Sequence, residues 1–190
     1  MQRNQKVVVL GIGGAGCSAV QYLATHHSGQ ATYMAINDKE EHLDGAATMV
    51  MRVTNPLEEA FEFEQLKHPM VAAIGDAHLL FVLAGLGGKL GSLTTPAICE
   101  YASRQGLSVA VCATLPFRYE GQKRRSVAQD CIEKIRCFTN NIYICELDTI
   151  LQAETRQQYS FGELVQAYPL YAQHVLQNMT DAMQANPSHG

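Results

Sequence analysis

A chain of 190 residues is long enough to bury roughly 70% of its unfolded surface around one core, so it needs neither a disulfide nor a metal to fold. Apolar residues make up 47% and charged residues 17%, and a net charge of -4 argues against a non-specific nucleic-acid binder, whose domain would be basic. No stretch approaches the ~20 apolar residues that cross a bilayer, and the apolar strand after Met1–Lys6 is too short for a signal-peptide core, so direct membrane insertion is not expected. Cys17, Cys99, Cys112, Cys131, Cys137 and Cys145 form no CxxC pair and fall mostly inside strands or helices, which reads as reduced thiols in the cytoplasm.

Taken in order, Lys6 to Leu10 is a short β-branched run that ends in glycine, the pattern of a central parallel strand. It enters the turn Gly11-Ile12-Gly13-Gly14-Ala15-Gly16, and a helix follows from Ala15 to His27, closed by a glycine cap at Ser28-Gly29. Thr32 to Ile36 is the second strand. It closes on Asn37-Asp38, about 20 residues beyond the glycine turn, where an open α/β sheet contacts a ribose or base. Met49 to Val53 reads as a short strand, and Asn55-Pro56 opens a helix that Pro69 ends.

His78 to Ala84 is the next strand, and it runs into a second glycine turn, Gly85-Leu86-Gly87-Gly88-Lys89-Leu90-Gly91-Ser92. A helix from Leu93 to Gln105 follows, with Pro96 near its first turn, and then a buried strand from Leu107 to Ala113. Thr114 to Gly121 is a loop, Gln122 to Phe138 a helix with one apolar face, and Ile142 to Glu146 a further strand. The remainder, from about Ser160 to Ala185, is helical with Pro169 as a break or second start, and residues 186–190 form a frayed end. Strands alternating with helices predict one α/β domain over residues 1–185, a three-layer doubly wound, mainly parallel, Rossmann-like sheet. A strand that stops in glycines leaves backbone N–H groups free for an anion, and the helix behind adds its positive end. Two such turns point to a nucleotide lying across the strand ends.

Three motifs in this order resemble the nucleotide-binding domain of the FtsZ/tubulin superfamily, on the FtsZ side. The first, GxGGxGxNAV in that family, is Gly11-Ile12-Gly13-Gly14-Ala15-Gly16-Cys17-Ser18-Ala19-Val20 here. The second, AGxGGGTGTGxxP, stands against Ala84-Gly85-Leu86-Gly87-Gly88-Lys89-Leu90-Gly91-Ser92-Leu93-Thr94-Thr95-Pro96. The loop PFxFEGxxR is met by Pro116, Phe117, Tyr119, Glu120, Gly121 and Arg124, and the resemblance spans residues 6 to 185.

What the resemblance implies is a pocket for GTP or GDP, with Mg2+ accompanying GTP, and a place beside a filament-forming partner or a second copy in cell division. Gly13, Gly14, Gly16, Gly87, Gly88 and Gly91 would present donors to phosphates, with Ser92 keeping part of the cradle, and Lys89 either pairs with a phosphate or fills the site in the nucleotide's absence. Glu120 and Arg124 would hold the sugar or a phosphate, Asn37 stays at the strand tip that contacts a ribose or base, and Ser18 stands where the family has the Asn that helps hold guanine. The family's guanine-reading aspartate is replaced by Gln173 or His174. The chain lacks the GAGxxP loop, the acidic catalytic loop and the second domain of the family, so hydrolysis is expected to be weak or absent.

Other readings of the same residues stand beside this one. The glycines could be structural turns in a nucleotide-free scaffold that retains the fold for interaction. Gly11-x-Gly13-x-x-Gly16 with Asp38 also fits a dinucleotide-binding fingerprint, and so an NAD-dependent oxidoreductase. Gly88-Lys89 is not a Walker A loop, because Leu90 follows the lysine. The scattered histidines suggest no metal site, and Cys17 at a helix start is either a thiol of lowered pKa or a small turn-filling residue.

Overall fold

A computed structural model describes residues 6–27, 30–38, 49–52, 70–72, 74–149 and 161–185. Within them the chain alternates between buried runs that alternate sides and helices that cover them. The elements are β1 (Val7–Ile12), α1 (Gly13–His26), β2 (Ala31–Asn37), β3 (Met49–Arg52) and β4 (Leu79–Gly85). They continue with α2 (Lys89–Arg104), β5 (Ser108–Thr114), a 3₁₀ turn (Arg118–Glu120), α3 (Gln122–Arg136), β6 (Ile142–Cys145) and α4 (Phe161–Ala185). The strands form one six-stranded sheet in the order β3-β2-β1-β4-β5-β6, with every neighbouring pair parallel. β1 lies at its centre, with Val9 opposite Tyr33 of β2 on one side and Phe81 of β4 on the other.

Side chains alternate across a strand, and the two faces of β1 therefore feed two cores. Val8, Leu10 and Ile12 pack with Ile98, Cys99 and Ala102 of α2 and with Ala128, Cys131, Ile132 and Ile135 of α3. Val7 and Val9 pack with Ala19, Val20 and Leu23 of α1 and with Tyr168, Ala172, Val175 and Leu176 of α4. The result is the expected three-layer, doubly wound sheet. Among the described residues, no helix is long and apolar enough to cross a membrane.

The helix starts differ from expectation for one shared reason. α1 begins at Gly13 rather than Ala15, and α2 at Lys89 rather than Leu93, so that Pro96 lies inside α2 and not near its first turn. Glycines that read as turn residues sit within the first turns because the helices rest on strand backbone. A Cβ at Gly16 would stand 2.2 Å from the Leu83 carbonyl oxygen, and one at Gly91 would stand 2.3 Å from that of Gly85. α4 passes through Pro169 as one helix, neither broken nor restarted there. Its buried residues Tyr168, Ala172, Val175 and Leu176 hold it on the sheet on both sides of the proline. His27 ends α1 in extended backbone, its N–H on the Leu23 carbonyl, while the expected cap at Ser28-Gly29 lies outside the described residues. So do Val53, the expected helix between Asn55 and Pro69, and the 186–190 end.

Gly16→Ala and Gly91→Ala are each expected to lower stability by at least about 1–3 kcal/mol, because a methyl group must displace backbone rather than a flexible side chain. Urea unfolding measures this. Unchanged midpoints would mean that the helices do not rest on the strand.

Candidate functional site

In a doubly wound sheet a crevice opens where the strand order reverses, at the carboxyl ends of the strands. Here that point lies between β1 and β4, whose following helices leave to opposite faces. A cavity of about 790 Å³ opens there, within the range of small-molecule sites.

Its floor is made by the two helix starts. Gly13 and Gly14 open α1 and Lys89 opens α2, and all three line the cavity. Neither N-cap residue, Ile12 or Gly88, supplies a side-chain cap, and neither first turn contains an acid. The first N–H groups of both helices therefore lack intrahelical and side-chain partners, and both positive dipole ends face one space. Lys89 adds a full charge. It is exposed, and no ion-pair partner is found for it among the described residues. This end of the cavity can receive an anion.

On the β2 side, Asn37 is only 2% exposed. Its Oδ1 accepts the Asp38 N–H at 2.9 Å, which fixes the amide orientation and leaves Nδ2 buried without a partner. A buried orphan donor is a place where an acceptor is missing. On the β5 side, Glu120 uses both oxygens: Oε1 accepts the Phe117 N–H at 2.9 Å and Oε2 pairs with Arg124 Nη1. The same loop is held by Asp148, whose Oδ2 accepts from the Arg118 N–H at 2.9 Å and from Arg125 Nη1 at 3.2 Å. Leu115, Pro116, Phe117, Leu147 and Tyr168 complete an apolar wall. The Tyr168 hydroxyl donates to the Cys112 carbonyl at 2.7 Å, and burial pushes its pKa well up, so it stays protonated.

Of the residues expected from the sequence, Gly13, Gly14, Ser18, Asn37, Gly88, Lys89, Gly91, Glu120 and Arg124 are brought together around this cavity. Others fall outside its lining. Gly16 is buried against β4, and the Gly87 N–H donates to Ser92 Oγ at 2.8 Å, so these two close the turn on each other. Gln173 and His174 lie farther along α4. Gln173 Nε2 donates to the His26 carbonyl at 3.0 Å, at the C-terminal end of α1, while exposed His174 sits 3.1 Å from Asn178. The α4 residues that reach the cavity are Tyr168 and Pro169. Five residues of helix are about 7.5 Å, enough to carry Gln173 toward the other end of the sheet. Sequence reasoning missed Tyr168, although its spacing from Ala172, Val175 and Leu176 marks it as sheet-facing, and it missed Leu147 and Thr114, for which no signal was present.

Cys17 is settled by burial. Its thiol is pushed up to about 12 by desolvation and donates to the Ile36 carbonyl at 3.5 Å, so the helix dipole does not make it a thiolate. Cys99 and Cys131 are likewise raised to about 12 and Cys145 to about 11, while Cys137 is exposed. Among the described residues no group of His, Cys, Asp and Glu is arranged to hold a metal.

No protein-family model matches the chain. It is 24% identical over 168 residues to the cell division protein FtsZ of Buchnera aphidicola subsp. Acyrthosiphon pisum, a match covering 82% of this chain and 44% of that protein. Against the cell division protein FtsZ of Helicobacter pylori it is 27% identical over 162 residues, or 78% and 42% of the two chains. The chain thus spans less than half the length of these curated relatives. Its fold superposes on an empty FtsZ dimer structure from M. jannaschii with a TM-score of 0.76 at 21% identity, covering 90% of this chain and 52% of that one.

A chromogenic thiol reagent at pH 8 is expected to react quickly with Cys137 alone in the native protein and with all six cysteines after unfolding. Because burial raises the native thiols above their ordinary value of 9.0, stability is undiminished below that pH and falls as the pH climbs toward about 12. Rapid native reaction of Cys17 would overturn its assignment as a packing residue.

Proposed function

The chain belongs to the FtsZ/tubulin superfamily, and on that premise we propose that it binds a guanine nucleotide, GTP or GDP, in the cleft between β1 and β4. The observation that carries this reading is the convergence of two uncapped helix N-termini with Lys89, free of any carboxylate in either first turn. Phosphates would lie on Gly13, Gly14, Gly88 and Gly91, and the sugar beside Asn37, Glu120 and Arg124. The base would lie against the apolar wall of Phe117, Leu147 and Tyr168. With Gln173 and His174 outside the cavity lining, neither is in place to read guanine, which favours a relaxed purine site.

Weak or absent hydrolysis belongs to the same proposal. Glu120 is engaged by Arg124 and Phe117, and Asp38 follows β2, two strand spacings or about 10 Å from the end of β4. We read residues 1–185 as one nucleotide-binding domain of a cytoplasmic protein that joins or regulates a filament or other assembly. The second reading is a nucleotide-free scaffold, favoured by the Glu120–Arg124 pair, which already satisfies the groups assigned to the sugar.

Melting of the purified chain with GTP, GDP, ATP or NAD separates the readings. A nucleotide at ~100 times its dissociation constant adds ~2.7 kcal/mol, a rise of roughly 5–11 °C for a domain of this size. A rise with GTP and GDP is expected; a rise with NAD alone would favour an oxidoreductase, and none with any, with no co-purifying small molecule, the scaffold.

Gly88→Asp tests the phosphate assignment directly. Position 88 has φ −85 and nothing within 4 Å of a Cβ, so an aspartate fits and caps α2 in place of a ligand. The free protein should keep its stability or gain a few tenths of a kcal/mol, while nucleotide affinity falls at least about tenfold. Unchanged affinity would sink the assignment.

A further inference from the structure

The anion-receiving end of the cleft has donors of the wrong sign for a divalent cation, and we infer that Lys89 takes the place of one. The inference rests on the nucleotide reading above and specifies the form of ligand that the site accepts. Lys89 is the first residue of α2, directly after extended Gly88, and lines the cleft. A cation is favourable at a helix C-terminus and unfavourable at an N-terminus, where it meets the positive dipole end. Here a second N-terminus, that of α1, opens on the same cavity. Lys89 therefore stands in a region of positive potential, without a carboxylate partner among the described residues. A polyanion turns that repulsion into attraction.

Asn37 supplies independent support from the other side of β1. Its buried Nδ2 is a donor without a partner, and the bond that Oδ1 accepts from the Asp38 N–H holds the amide in that orientation. The anion-receiving end of the described cleft thus presents helix N–H groups, an amide N–H and an ammonium; of the two carboxylates that line the cavity, Glu120 is used internally and Asp38 follows β2, two strand spacings or about 10 Å from the end of β4. Mg2+ requires oxygen ligands in a near-octahedral shell, and its two charges would be repelled by Lys89 and both helix ends. The fitting ligand is a metal-free nucleoside di- or triphosphate, bound more tightly as phosphates are added.

Calorimetric titration of the full chain with GDP and GTP, in EDTA and in excess Mg2+, tests this, with inorganic tripolyphosphate as a base-free probe. Wild type should bind GTP at least as tightly in EDTA as in Mg2+, and tripolyphosphate should compete. Lys89→Met, at an exposed position, should lose about tenfold to a hundredfold in EDTA and recover part of it with Mg2+, whereas Lys89→Arg should retain binding. Wild-type binding that requires Mg2+, or undiminished binding by Lys89→Met in EDTA, would overturn the role of Lys89 and leave the nucleotide reading intact. No binding of any nucleotide in either buffer would overturn both.

Discussion

The seating of two helices on one strand is the constraint from which the candidate site follows. Gly16 of α1 lies against the Leu83 carbonyl and Gly91 of α2 against the Gly85 carbonyl, closer than any side chain permits. Both helices are therefore pinned at their first turns to β4, one on each face of the sheet. Their unpartnered N–H groups arrive at the same edge, at the point where strand order reverses. The positive potential of the cleft is thus a consequence of packing, and Lys89 adds to a field that the backbone already sets.

The opposite wall is held by polar contacts whose value lies in geometry. The Glu120–Arg124 and Arg125–Asp148 pairs are partly exposed, and such pairs contribute little stability. Together with the bonds from Phe117 N–H and Arg118 N–H, they fix the loop after β5 so that Leu115, Pro116 and Phe117 face the cavity. Tyr168 closes this wall from α4, tied through its hydroxyl to the middle of β5. One end of the cleft is made of donors and the other of apolar surface, a division that matches the two ends of a nucleotide.

The sheet was legible because burial on both faces leaves an unambiguous mark: Val7 to Leu10, Leu79 to Ala84 and Val109 to Ala113 are unbroken apolar runs, each followed by a turn. Helix starts were less so. Glycine at Gly13, Gly16 and Gly91 suggests a turn when read locally, and its true reason at Gly16 and Gly91, contact with a strand distant in sequence, is invisible before the fold is known. Gln173 and His174 were misplaced for a related reason. Periodicity shows which face of α4 is apolar, but not how far along the sheet each turn of the helix lies. Placing the cavity on Tyr168 and Pro169 required the register between α4 and β5.

The glycines do not all carry the same information about function. Gly16 and Gly91 would be required in a scaffold that binds nothing, since packing alone demands them. Gly88 is different: its backbone is in an ordinary extended region, and a side chain there would meet nothing within 4 Å. Its place is the N-cap of α2, where Ser, Thr, Asp or Asn would satisfy a helix N–H that glycine leaves open. What glycine provides at that position is unobstructed access to those N–H groups from the cavity. Neither the turn nor the core explains that choice, whereas an anion seated on the helix does, and this weighs for a ligand-binding protein over a bare scaffold.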